Sequence, residues 1–265
     1  MTASASPAWS RERAVILGVL LVLAAAAWGV LIWQWRVSGS GAGMGLTMGM
    51  SALLFLAIWV VMMVAMMFPT AAPMVLTFAS VYAGRRAQGH PYVPTWIFVA
   101  AYLLVWALFG VVAYGAAIGV TEMARRNMWL MEHAAQIGGA ILILAGLYQL
   151  SPLKRACLAK CRTPLAFILT SWRDGAWGAF RMGFEHGSYC LGCCWLLFVI
   201  LFPLGIMNVA VMALVTVLIF AEKALPIGPR LAQVAAIALI AYGALVLVMP
   251  ELLLTTMPAS MPATM

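Results

Sequence analysis

The chain has 265 residues, of which 66% are hydrophobic and 8% charged. A soluble domain of that composition would expose large apolar patches, so a soluble class is excluded. Lys and Arg number 15 against 7 Asp and Glu, a net charge of +8, but the cations lie in short segments between apolar runs. Such a distribution orients a chain in a lipid bilayer and argues against a nucleic-acid partner.

Apolar runs of about 18 residues or more cover 14–37, 51–68, 95–120, 134–150, 176–225 and 229–249. The first follows Arg11 and Arg13, is longer than a signal core and leads to no small-residue cleavage site. It reads as a retained anchor behind a cytoplasmic tail over 1–12. Trp28, Trp33 and Trp35 near its far end fit an interfacial belt. The connecting segment "GAGMGLTMGMS" carries Met44, Met48 and Met50 in a Gly-rich setting with no core to fill. The second run contains "WVVMMVAMMFPTAAP", where Met62, Met63, Met66 and Met67 cover about 140° of helix surface before Pro69 and Pro73 interrupt it. His90 and His133 fall in loops, where a solvated role is the default.

Further along, "SPLKRACLAKCRTP" sets Cys157 and Cys161 four apart between Pro152 and Pro164, so that both thiols project from one face of a short helix. Lys154, Arg155, Lys160 and Arg162 surround them, and positive charge raises the thiolate fraction of a nearby thiol. The run 176–225 is too long for one crossing, and "FPLG" at 202–205 supplies the break. Its first half carries "GSYCLGCCW": His186, Cys190, Cys193 and Cys194 follow an i, i+4, i+7, i+8 pattern and share an arc of about 100°. Counted inward from Arg181, these cysteines lie roughly 13–20 Å into a core about 30 Å thick. Ionisable groups at such depth mark a site. Adjacent Cys193 and Cys194 cannot point along one direction, so two or three of the four side chains are expected to act together. Glu222 and Lys223 close the sixth span as an ion pair or a snorkelling lysine. The tail "TTMPASMPATM" adds Met257, Met261 and Met265.

The expected architecture is all-α: a single polytopic transmembrane helix bundle over 1–265 with about seven spans, or six if the second half of 176–225 is re-entrant. With the N-terminus inside, Arg11, Arg13, Arg85, Arg86, Lys154, Arg155, Lys160, Arg162, Arg173, Arg181, Lys223 and Arg230 gather on the cytoplasmic side. Only Arg36, Arg125 and Arg126 lie outside. That orientation puts the Met- and Pro-rich tail over 250–265 outside. Five cysteines is an odd number, none falls in an expected outer loop, and reduced thiols follow.

Soft sulfur donors in this arrangement select Cu(I), with Zn(II) second because imidazole and oxygen ligands are sparse. The motifs "WVVMMVAMMFP", "KRACLAKCRTP", "GSYCLGCCW", "MN" at 207–208 and "EK" at 222–223 resemble a family of bacterial multi-spanning proteins described as predicted metal-binding integral membrane proteins. The resemblance runs from about Trp59 to Lys223 and implies metal binding at Cys157, Cys161, Cys190, Cys193 and Cys194. The leading expectation is therefore binding, transport or handling of a transition metal, copper first, in a bacterial inner membrane. Outer methionines capture the ion, Cys190 and Cys193 or Cys194 coordinate it with His186, Met62 and Met66 nearby, and Cys157 and Cys161 exchange it. A periplasmic or cytoplasmic metallochaperone is the expected protein partner. No GxxxxGK[ST] motif is present, so ATP does not drive the process through a P-loop. Two alternatives stand beside this: a membrane thiol-disulfide oxidoreductase, and an assembly or scaffold protein whose Cys and Met only pack.

Overall fold

The computed structural model describes residues 7–38, 46–47 and 49–253, with side chains from residue 11 onward. Among the described residues there is no strand. Helix α1 (Pro7–Ser38) lies along α2 (Ala52–Ala87); α3 (Thr95–Arg126) leads through the single turn of α4 (Met128–Glu132) to α5 (Ala134–Gln149). Helices α6 (Pro152–Arg162) and α7 (Pro164–Ser171) precede α8 (Gly175–Val199), which packs on α3. The short α9 (Leu201–Leu204), α10 (Val209–Ala224) and α11 (Gly228–Val248) complete the order, and α11 returns to α5.

Five helical stretches are long and apolar enough to cross a membrane: Arg11–Val37, Ala52–Ala87, Thr95–Arg126, Gly175–Leu204 and Gly228–Val248. The pair Ala134–Gln149 and Pro152–Arg162, bent by 62°, makes a sixth if taken as one span. The bend has a local cause. Ser151 holds an extended backbone before Pro152 and caps α6 by accepting from the Lys154 N–H at 3.1 Å, as expected of a residue that precedes proline and starts a helix. The expected seventh crossing corresponds to α10, whose 16 residues span about 24 Å.

Two expectations need correction. The second run was expected to end at residue 68, before Pro69, yet α2 continues through Pro69 and Pro73 to Ala87. Pro69 has no N–H for the carbonyl of Ala65, four residues back, and the Trp28 indole of α1 donates to that carbonyl at 3.1 Å. Hydroxyls of Thr70, Thr77 and Ser80 likewise donate to carbonyls of Met67, Pro73 and Leu76 within the same stretch. Trp28 is therefore a packing and capping residue, while Trp33 and Trp35 are exposed as an interfacial belt requires. The break expected at 202–205 is present: Gly205 adopts φ of +94°, which favours glycine, and Asn208 then caps α10 through the N–H groups of Ala210 and Val211.

Helix pairs approach closely where side chains are small. A Cβ at Gly139 of α5 would lie 2.9 Å from the Gly243 carbonyl of α11, the kind of contact that holds apolar helices together when burial from lipid yields little. One core gathers Trp59, Met62, Met63, Met66, Met67, Trp106, Met212 and the cysteines of α8. A second, built on Phe78, Phe98, Phe167 and Met182, joins α1, α2, α3, α7 and α8.

Candidate metal centre

Cys190, Cys193 and Cys194 are buried on one face of α8, at 0%, 1% and 1% exposure. Their sulfurs touch. The Cys193 and Cys194 sulfurs are 3.1 Å apart, so the adjacent pair, expected to diverge, meets at its sulfurs. The Cys193 thiol also donates to the Cys190 carbonyl at 3.2 Å, one turn back. Helix α6 lies across α8 and brings Cys161 into interaction with Cys190 and Cys193. The result is a cluster of four thiols from two helices. All five cysteines are free.

Cys157 goes elsewhere. Half-buried, it rests its sulfur on the α8 backbone at Gly192, where a Cβ would come within 2.8 Å of it. The Tyr148 hydroxyl donates to the carbonyl of that glycine. Cys157 and Cys161, expected as an exchanging pair, are thus divided between a packing contact and the cluster.

Two further partners reach Cys190. The Tyr102 hydroxyl of α3 is 3.2 Å from its sulfur, and the Lys223 ammonium of α10 donates to it at 3.0 Å and to the Thr70 hydroxyl of α2 at 3.5 Å. An ammonium in that position compensates the charge a thiolate carries, which matters most where the surroundings are poor in water. Sequence reasoning assigned Lys223 to the surface. Its neighbour Glu222 explains the difference: the carboxylate forms a 2.6 Å ion pair with Lys154, both about 1% exposed, and accepts from Gln149 Nε2 at 3.1 Å. Lys154 also donates to Gln149 Oε1, and Arg162 donates to the Glu222 carbonyl. These bonds tie both arms of the bent α5–α6 pair to the last turn of α10, and they hold Lys223 toward α8. The signal present in the sequence was an Asp/Glu-poor chain with one acid–base dipeptide inside an apolar run, and a glutamine and a lysine, Gln149 and Lys154, either side of Pro152.

Helix α2 contributes Met62 and Met66, buried in the same core as the α8 cysteines along with Met63, Met67 and Met212 of α10. His186, one turn before Cys190, is buried among the rings of Phe98, Tyr102 and Phe167, with centroids 5.6–5.9 Å away. Its Nδ1 has no hydrogen-bond partner. His90 and His133 are at the surface, beside Arg85 and the Trp129 carbonyl. Met50 is described and half-buried; Met44, Met48, Met257, Met261 and Met265 lie outside the described residues. Among the described residues no three His, Cys, Asp or Glu side chains are arranged to hold a metal ion as they stand.

Apolar helices of membrane-crossing length around a nest of soft sulfur donors describe a class, the all-helical proteins suited to a bilayer. Within it, the family model described as PpoB2, copper chaperone, matches residues 56–246. That is well over half of the chain, which belongs to this copper-chaperone family. Copper handling in general, expected from the cysteine and methionine motifs, is thereby supported. No curated protein and no solved structure matches the chain.

Proposed function

We propose that this protein is a membrane-embedded carrier or chaperone for Cu(I), which it binds through two thiolates drawn from Cys161, Cys190, Cys193 and Cys194, with Met66 as a softer neighbour and His186 in reserve one turn away. The observation that carries the reading is the Lys223 ammonium 3.0 Å from the Cys190 sulfur, beside four clustered thiols in a chain of a copper-chaperone family. Charge counting favours a monovalent ion. Cu(I) held by two thiolates is a −1 unit that one ammonium neutralises, whereas Zn(II) on the same two thiolates is already neutral and gains an unbalanced +1 from the lysine. A buried site disfavours net charge strongly.

The test is Cu(I) and Zn(II) competition on the full-length protein, reduced and anaerobic in detergent. The parent should retain Cu(I) against a competing chelator. Lys223→Met should lower Cu(I) affinity about 10–100-fold and narrow the preference over Zn(II). A parent that binds no Cu(I) refutes the function; an unchanged preference in the variant refutes the role of Lys223. The 3.1 Å approach of Cys193 and Cys194 is the one feature that favours the thiol-disulfide alternative, and turnover of a dithiol substrate by copper-free protein would establish it.

For the membrane setting we take α10 as a seventh crossing, the N-terminus as cytoplasmic and the bilayer as a bacterial inner membrane. Lys223, in the last turn of α10, reaches Cys190, and on this orientation that turn faces the cytoplasmic end of the bundle. Copper bound there is within reach of a cytoplasmic metallochaperone. A reporter fused after residue 265 should be active only in its periplasmic form, given the division of cations between the two sides. Cytoplasmic activity would overturn the seven-span arrangement.

A further inference from the structure

The opposite end of α10 carries a different sulfur group. Met207, in the turn before α10, is 4% exposed and Met62 is 2% exposed; together with half-buried Met50, just ahead of the α2 cap Ser51, they line one small cavity. The three sulfurs come from separate parts of the chain: the segment before α2, the third turn of α2, and the α9–α10 turn. The positive-φ Gly205 and the Asn208 cap fix that last turn, so Met207 is presented by rigid backbone.

The cavity measures about 10 Å³, room for one water-sized body. Its remaining lining is Phe55, Trp59 and two isoleucines. A buried water needs two to four polar partners, and the lining side chains supply none, because the Trp59 indole N–H is already given to the Trp106 carbonyl at 3.0 Å. Among those side chains the available lone pairs belong to thioethers, which are weak acceptors toward water but good ligands for soft cations.

One stripe of α2 connects this cavity to the thiols. Met62 lines the cavity, Met66 lies one turn further on, and Thr70 one turn beyond that. The Thr70 hydroxyl is 3.5 Å from Lys223 Nζ, itself 3.0 Å from the Cys190 sulfur. From Met62 to Thr70 the helix rises about 12 Å.

We infer that Met50, Met62 and Met207 form a second, weaker site for a monovalent soft cation at the end of the bundle away from the Lys154–Glu222 pair, from which the ion reaches the thiol cluster along Met66. The inference rests on the Cu(I) reading above. The ion moves by exchange of sulfur ligands, thioether for thioether and then thiolate for thioether, with no change in oxidation state.

The experiment uses Cu(I) itself on the full-length protein in detergent, with folding matched by circular dichroism. Replacing Cys161, Cys190, Cys193 and Cys194 together by alanine removes the tight site and should leave residual weak Cu(I) binding. Adding Met50→Leu/Met207→Leu should abolish that residue of binding, since leucine conserves volume but has no sulfur. On the otherwise native protein, Met50→Leu/Met207→Leu should slow Cu(I) loading of the thiols at least about tenfold while leaving their final occupancy unchanged. Residual binding that is absent, or indifferent to the methionine changes, overturns the outer site while parental Cu(I) binding leaves the Cu(I) reading standing. A parent that takes up no Cu(I) overturns both.

Discussion

Cys190→Ala/Cys193→Ala should lower the affinity for Cu(I) by at least about 10³-fold while the protein stays folded in the membrane. A soft cation leaving water must recover its coordination from protein donors, and the thioether of Met66, buried in the same core, donates too weakly to replace two thiolates. The packing loss is small, since each change removes a single sulfur from a helix face. Serine would be a poorer test, because its hydroxyl brings hydrogen bonding of its own into an apolar interior. The structure sharpens the expectation for the other pair: Cys161→Ala should weaken binding because Cys161 interacts with Cys190 and Cys193, whereas Cys157→Ala should change it little because Cys157 rests on the backbone at Gly192. Competition titration of the three variants against the parent at matched circular dichroism decides the matter. Parental affinity in the double variant would reduce the cluster to helix packing.

Glu222→Gln should destabilise the protein by about 3–5 kcal/mol, the cost of leaving a buried cation without its counter-ion. Lys154 and Glu222 are each about 1% exposed and 2.6 Å apart, so water cannot take over the role of the lost carboxylate. Gln149 stays in contact with the ammonium but brings no compensating charge. The double variant Glu222→Gln/Lys154→Met should recover most of the loss, since an apolar replacement of a whole buried pair is close to neutral. Denaturation in detergent, followed by loss of helical signal, reads both values. A single variant as stable as the parent would show that the pair is wet or broken in solution. Because Glu222 precedes Lys223, the same variants show whether this network positions the ammonium at Cys190: Cu(I) affinity in Glu222→Gln should fall even under conditions where the protein is fully folded.

Much of the helical framework can be read from hydropathy alone, since a backbone in hydrocarbon must satisfy its own hydrogen bonds and long apolar runs become helices. Hence the spans near 14–37, 95–120 and 229–249 agree with α1, α3 and α11 to within a few residues at most ends, and the proline and glycine at 202–205 mark the turn into α10. The cysteine and methionine motifs likewise point to copper without a fold, because soft donors carry their preference in the atom. Where the sequence misleads, the deciding partner is remote in the chain. Pro69 should stop α2, but the carbonyl it orphans is met by Trp28, 37 residues away. Cys157 and Cys161 are equivalent by spacing, but α8 presents its backbone at Gly192 to one and its cysteines to the other. Lys223 looks like a surface lysine until Lys154 claims Glu222 and leaves the adjacent ammonium facing Cys190. Periodicity specifies which side of a helix is apolar; which side chains meet across three helices depends on crossing points and depths, and these are set by packing.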